Sequence, residues 1–149
     1  VALLVSLISL MGPALFGRAD PGPQRRRGWI IGFTLLVGAI FATMALVPHS
    51  WVDVGGALLV GFLSGYIVLQ YADVRSAYPP ALTGRAMAVF TMAMFLGVAL
   101  AQWLTGLAAA VAQDHGMEPY RAVFGLLAAL LVAGALAFWL LPAPTATRA

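Results

Sequence analysis

The feature that most constrains this chain is an apolar run that begins at Ala86 and carries no charged residue before Asp114. A helix crosses the hydrocarbon core of a bilayer in about 20 residues, and this run is longer than that. Composition agrees, because 62% of the residues are hydrophobic and 9% are charged, whereas an average soluble domain is about 25% charged. We therefore interpret the chain as an all-α, polytopic integral membrane protein.

Polar segments that contain proline and glycine divide the chain into five predicted transmembrane spans. These cover about residues 1–16, 29–47, 54–71, 84–112 and 120–141, and residues 1–149 are treated as one helical bundle. The first span is short for a full crossing, and the chain does not begin with methionine. We therefore expect a fragment of a longer protein, with a complete small membrane protein as the alternative.

Arginine is distributed unevenly over the predicted loops. The arginines of the first loop, the third loop and the C-terminal tail are Arg18, Arg25, Arg26, Arg27, Arg75, Arg85 and Arg148. The alternate loops hold mainly histidines and acids, with Arg121 at the edge of one. Because cytoplasmic loops carry the excess of Lys and Arg, we predict that the arginine-rich loops and the C-terminus lie on the cytoplasmic side of the cell (inner) membrane. The net charge of +3 has this origin, and we expect no nucleic-acid partner.

The fourth predicted span carries one face with polar residues. Its members are Thr91, Phe95, Val98, Gln102 and Thr105, spaced alternately by four and three residues. A primary amide in hydrocarbon is costly unless it is hydrogen-bonded, so Gln102 must meet protein, water or substrate. An interhelical hydrogen bond and a cavity-lining position both remain open for it.

The third predicted span offers a second group of candidates. Phe62, Tyr66 and Gln70 recur every four residues, with Ser64 nearby. Tyr66 is near mid-depth, where its hydroxyl needs a hydrogen-bond partner. No ionisable residue lies deep in any predicted span, which argues against an intramembrane hydrolase and for a protein that is not an enzyme. Without cysteine, disulfides and thiolate metal sites are excluded, and we expect neither metal nor cofactor.

Two polar segments resemble the loops of major facilitator superfamily transporters. Residues 73–85 read DVRSAYPPALTGR, and the Pro79-Pro80 pair followed by Gly84-Arg85 is similar to the loop before the family's eleventh helix. Residues 17–27 read GRADPGPQRRR and resemble the second copy of the family's basic loop motif. The matching positions are Gly12 or Gly17, Asp20, Gly22 and Arg25 to Arg27, while Pro21 and Pro23 depart from the pattern.

The resemblance implies that the chain is a partial C-terminal bundle, equivalent to helices eight to twelve. It implies secondary active or facilitative transport of a small solute by alternating access. The candidate substrate-binding residues are then Gln102, Thr91, Phe95, Tyr66 and Ser64. The candidate residues of a cytoplasmic gate or latch are Asp20, Arg25 and Arg85. The implied partners are the lipid bilayer, the missing N-terminal helix bundle and a small-molecule substrate. The alternative is a complete five-span membrane subunit with a structural or interaction role.

Overall fold

The computed structural model describes residues 2–141, and every regular element in that range is helical. The helices are α1 (Ala2–Arg18), α2 (Pro23–Leu46), α3 (Ser50–Leu63), α4 (Ile67–Ala77), α5 (Pro80–Asp114) and α6 (Pro119–Leu140), with a single 3-10 turn, Ser64–Tyr66, joining α3 to α4. The all-α prediction is confirmed. The predicted polar tail at residues 142–149 lies outside the described residues.

Four segments are long and apolar enough to cross a membrane: α2, the continuous helix Ser50–Ala77, α5 and α6. The remaining apolar helix, Leu3–Arg18, is shorter. The most apolar stretch of α5 has no buried residue. Large hydrophobic side chains such as Met92, Leu96 and Trp103 lie exposed along it. Since so much apolar surface is stable only away from water, the chain is an integral membrane protein.

The helix boundaries correct the predicted loop at residues 72–83. Helix α4 continues to Ala77, so Asp73 and Arg75 are helical, and the connection to α5 consists of residues 78–79 only. Residues 72–77 contain no glycine or proline to break a helix. Tyr78 then adopts extended backbone with φ −125° and ψ 148°, because a residue before proline is pushed out of the helical region.

Helices α2 and α6 run antiparallel, and each caps the end of the other. Near the start of α2, Arg27 donates to the Phe138 carbonyl oxygen at 2.6 Å and also to the carbonyl of Leu141. Near the start of α6, Arg121 Nε donates to the Ala45 carbonyl oxygen at 2.8 Å. The last carbonyls of a helix lack intrahelical donors, and a cation there also interacts favourably with the helix dipole. The two arginines therefore fix this pair at both ends.

Helix α1 crosses the 3-10 turn at very close range. A Cβ atom added to Gly12 would lie 2.4 Å from the Phe62 carbonyl oxygen, and one added to Gly65 would lie 2.3 Å from the Gly12 carbonyl carbon. The two backbones therefore touch where both residues lack side chains. Beside the crossing, the rings of Phe16 and Phe33 pack edge to face with centroids 4.9 Å apart. This contact anchors α1 on the α2–α4 layer.

Candidate functional site

A cleft of about 360 Å³ lies among α2, α4, α5 and α6. Most of its wall is apolar and comes from isoleucine, leucine, valine, phenylalanine, alanine and glycine residues. The polar residues of its wall are Thr34, Tyr66, Gln70 and Asp73. A small concave site with an apolar wall and a few convergent polar groups is the usual form of a ligand site.

Helical spacing brings three of these polar residues to one face. Tyr66, Gln70 and Asp73 follow each other at intervals of four and three residues from the 3-10 turn into α4. Thr34 meets them from α2, with its Oγ1 3.1 Å from the Tyr66 hydroxyl oxygen. The Thr34 hydroxyl already donates to the Ile30 carbonyl at 2.8 Å, so Tyr66 donates and Thr34 accepts. That bond fixes the Tyr66 ring in the wall of the cleft.

A buried arginine on α2, one helical turn before the cleft-lining Ile30, joins the α1–α2 connection to α4. Arg26 is 6% exposed. Its Nε and Nη2 donate to the two carboxylate oxygens of Asp20 at 3.1 and 2.5 Å. Its Nη1 donates to the Ala72 carbonyl at 3.0 Å and to the Ser76 hydroxyl at 2.9 Å. One guanidinium thus links the α1–α2 connection to α4, using the bidentate geometry that only arginine provides.

The contact with Arg26 also favours the ionised form of the Asp20 carboxyl group. The hydrogen bond from Arg26 is the main reason that the pKa of Asp20 is lowered, and the Gly22 backbone N–H adds to it. Because the pKa of Asp20 is lower in the folded protein than the unfolded value of 3.8, its ionised carboxylate stabilises the fold at pH values above 3.8. That stability is lost as the pH falls through the folded pKa. The pair is therefore ionised and intact at physiological pH.

Asp73 is half-buried on the wall of the cleft. The charges that act on it are those of Arg26, Arg27 and Asp20. Within residues 2–141, however, the one ion pair is Asp20–Arg26. Arg27 is engaged with the carbonyls at the end of α6, and its guanidinium lies 5.0 Å from the centre of the Phe138 ring. In the described part of the chain, no side chain donates a hydrogen bond to the Asp73 carboxylate.

The structure places the predicted substrate-binding residues in two separate regions. Tyr66 lines the cleft, whereas Thr91, Phe95 and Gln102 do not. Phe95 is 64% exposed, and Gln102 is also exposed on α5. Over residues 2–141, no hydrogen bond involves the Gln102 side-chain amide, although the Thr105 hydroxyl donates to the Gln102 backbone carbonyl at 3.0 Å. The Ser64 hydroxyl donates to the Gly61 carbonyl of its own helix at 2.7 Å.

The predicted latch residues are likewise dispersed. Asp20 is paired with Arg26, while Arg25 is exposed in the first turn of α2 and Arg85 is exposed near the start of α5. Sequence reasoning did not single out Arg26, Asp73 or Thr34. The spacing of Tyr66, Gln70 and Asp73 was the available signal for Asp73, but it is visible only if α4 is extended through residue 77.

The sequence of the chain is similar to that of a membrane transporter. No protein-family model matches the sequence, and no solved structure matches it. The chain is similar to a multi-drug resistance efflux pump PmrA homolog of Lactococcus lactis subsp. lactis (strain IL1403), with 35% identity over 100 residues. The matched region is 67% of this chain and 23% of that protein. The chain therefore matches less than a quarter of the relative's length.

Proposed function

We propose that this chain is part of a transporter that moves a small solute across the membrane by alternating access, with a major-facilitator-type bundle. The observation that carries the proposal is the similarity to a protein named as an efflux pump over 100 residues. Four helices able to cross a membrane support it. The loop sequences around Asp20 and Pro79 support the particular superfamily.

The uncovered surface of α5 fits the same proposal. Phe95, Leu96 and Trp103 are each more than 60% exposed, and Gln102 lies between them without a side-chain partner among the described residues. In a transporter of this class, an unpaired amide on such a helix would meet the solute pathway or a second bundle. We place Gln102, Thr91 and Phe95 along that pathway. The partners of the chain would be the bilayer, a further helix bundle of the same protein and the solute.

Transport by the full-length protein and by its Gln102→Ala variant tests this function. Cells or proteoliposomes that contain the protein should move at least one fluorescent solute from a panel of small amphiphiles. Gln102→Ala should raise the KM by roughly 5- to 150-fold, equivalent to about 1–3 kcal/mol for a buried partner left unpaired. Gln113→Ala, at the far end of the same helix, should leave the KM unchanged.

The outcomes of this experiment separate two claims. Absence of transport for every solute would remove the proposed function and favour the alternative of a structural or interaction subunit. Transport with an unchanged KM in Gln102→Ala would keep the function and move the solute site away from α5. A lowered unfolding temperature with intact affinity would identify Gln102 as a residue that joins two helices.

We further propose that the arginine-rich ends of the helices lie in the cytoplasm of a cell whose inner membrane holds the protein. Arg26, Arg27 and Arg75 all belong to that end of the bundle, as the distribution of positive residues favours. A C-terminal reporter enzyme that is active only outside the inner membrane should remain silent. Strong reporter activity would reverse the orientation.

A further inference from the structure

We infer that an anionic phospholipid binds along α2, with its phosphate at the Arg25 guanidinium and one acyl chain in a groove between α2 and α6. This inference goes beyond the proposed transport, because the groove is a second concave surface that shares no lining residue with the cleft. It depends on the apolar groove, on a strip of small residues that leads to it, and on the free arginine where that strip begins.

The groove between α2 and α6 has a volume of about 500 Å³. Leucine, valine, alanine and glycine line it, so its lining offers no side chain that can form a hydrogen bond. The small side chains of Ala39, Ala129 and Ala133 are exposed and leave the groove open. Both helices are long and apolar enough to cross a membrane. Such a groove suits a hydrocarbon chain and gives a polar solute nothing to bond.

A strip of small residues on α2 connects Arg25 with the groove. Arg25, Gly28, Gly32, Leu35 and Ala39 follow each other at intervals of three, four, three and four residues, which places them on one helix face. All five are exposed. A Cβ atom added at either glycine would meet nothing within 4 Å. A flexible chain can therefore lie against the backbone of α2 from the arginine to the groove.

The length of this strip matches one leaflet of a bilayer. The 14 residues from Arg25 to Ala39 correspond to about 21 Å along the helix axis. A bilayer with its headgroup regions is about 40–45 Å thick, so one leaflet is about 20–22 Å. Trp29, which is 39% exposed one turn after Arg25, is of the residue type that concentrates at membrane–water interfaces. With its phosphate at Arg25, a phospholipid would extend its acyl chain into the groove near the middle of the membrane.

Arg25 is available for a ligand, unlike its two neighbours. Arg26 donates to Asp20 and to α4, and Arg27 donates to the carbonyls at the end of α6. Arg25 is exposed, and within residues 2–141 its guanidinium forms no hydrogen bond or ion pair. A guanidinium can donate two parallel hydrogen bonds to a phosphate, and basic residues beside a membrane span attract anionic lipids. The position therefore selects a negatively charged headgroup.

A second copy of the chain suits this face of α2 less well. Two copies that pack their α2 helices about a twofold axis perpendicular to the membrane would bring the same surface of each copy together. Their two Arg25 guanidinium groups would then face each other at the end of the interface and repel each other. A phospholipid places a negative group at that position instead.

Native mass spectrometry of the purified full-length protein with added phosphatidylglycerol tests the inference. Phosphatidylcholine with the same acyl chains is the zwitterionic comparison. The wild type should bind one phosphatidylglycerol molecule more tightly than phosphatidylcholine by roughly fivefold, as expected for one arginine near an anionic lipid. Arg25→Gln should remove this preference, and Arg25→Lys should retain most of it. Arg18→Gln, which removes another exposed arginine at the same end of the bundle, is the matched control and should keep the preference.

Gly32→Leu and Ala39→Leu test the path of the acyl chain without touching the charge. A Cβ atom at Gly32 would meet nothing within 4 Å, and Ala39 is exposed, so α2 can hold either leucine without a backbone clash. Each variant should weaken the binding of both phospholipids by roughly threefold or more, because the chain loses close packing against the helix. Gly55→Leu, equally unobstructed but on α3, should bind both normally.

Three results would overturn the inference. One is equal binding of the two phospholipids to the wild type. A second is an equal loss of preference in Arg25→Gln and Arg18→Gln, which would assign the preference to the overall positive charge of that membrane surface. The third is a species of twice the mass that Ala39→Leu abolishes, which would identify a second copy as the occupant of the groove. If one leucine variant does not fold, the other still tests the path. Transport measured in parallel shows separately whether the proposed function holds.

Discussion

Gly65→Ala is expected to prevent the folded protein from accumulating. The added methyl carbon would lie 2.3 Å from the Gly12 carbonyl carbon and 2.5 Å from the Gly12 Cα. Both are backbone atoms of α1 and cannot rotate away. Overpacking in a well-packed interior costs about 1–3 kcal/mol, and more where rigid atoms collide, so we expect a loss of about 3 kcal/mol or more. The yield of monodisperse protein and its unfolding temperature in detergent measure the effect.

Two further alanine substitutions make this prediction specific. Gly12→Ala should behave like Gly65→Ala, because its Cβ would lie 2.4 Å from the Phe62 carbonyl oxygen. Gly17→Ala is the matched control on α1, since its nearest neighbour would be a Val68 methyl group at 3.9 Å. It should leave stability unchanged or raise it slightly, because alanine favours the helix over glycine. Normal folding of Gly65→Ala would show that α1 and the 3-10 turn are not in backbone contact.

The fold was predictable from the sequence to the extent that hydrophobicity determines it. Apolar segments could be recognised as helices because a segment within a bilayer must satisfy its backbone hydrogen bonds internally. Four of the helices are long and apolar enough to cross a membrane. The extension of α4 through Asp73 was missed, since polar residues were equated with a loop although nothing before residue 78 breaks a helix. Helix α4 ends where Pro79 forces Tyr78 out of the helical region, and the hydrophobicity of the preceding residues does not set that boundary.

The site was predictable only where one helix contains the pattern. Tyr66 was singled out from the spacing along its own segment, and it does line the cleft. Thr34 was not, because its importance comes from the approach of α2, which places its Oγ1 3.1 Å from the Tyr66 hydroxyl oxygen. Arg26 differs from Arg25 and Arg27 in no local property of the sequence. The direction of its side chain into the α4 layer, set by the helix turn, makes it the buried member of the three.

Arg26→Ala is expected to lower the free energy of unfolding by about 3 kcal/mol. Removal of the guanidinium leaves the Asp20 carboxylate, the Ala72 carbonyl and the Ser76 hydroxyl without their common donor. Breaking a buried ion pair by removing one partner typically costs about 3–5 kcal/mol. Asp20 retains some contact with water, with 28% of its side chain exposed, which places the expectation at the lower end of that range. Chemical unfolding of the full-length protein in detergent measures it.

Neighbouring variants show whether the loss comes from geometry or from charge alone. Arg26→Lys keeps the charge but cannot donate in parallel to both Asp20 oxygens while reaching α4, so it should recover less than half of the lost stability. Arg25→Ala removes an exposed arginine from the same helix turn and should change stability by no more than about 0.5 kcal/mol. In the double variant Asp20→Ala/Arg26→Ala, the loss should be smaller than the sum of the single losses, because the carboxylate left unpaired in Arg26→Ala is gone. Additive losses would mean that Arg26 stabilises the protein through α4 alone, and the link between the α1–α2 connection and α4 would contribute nothing.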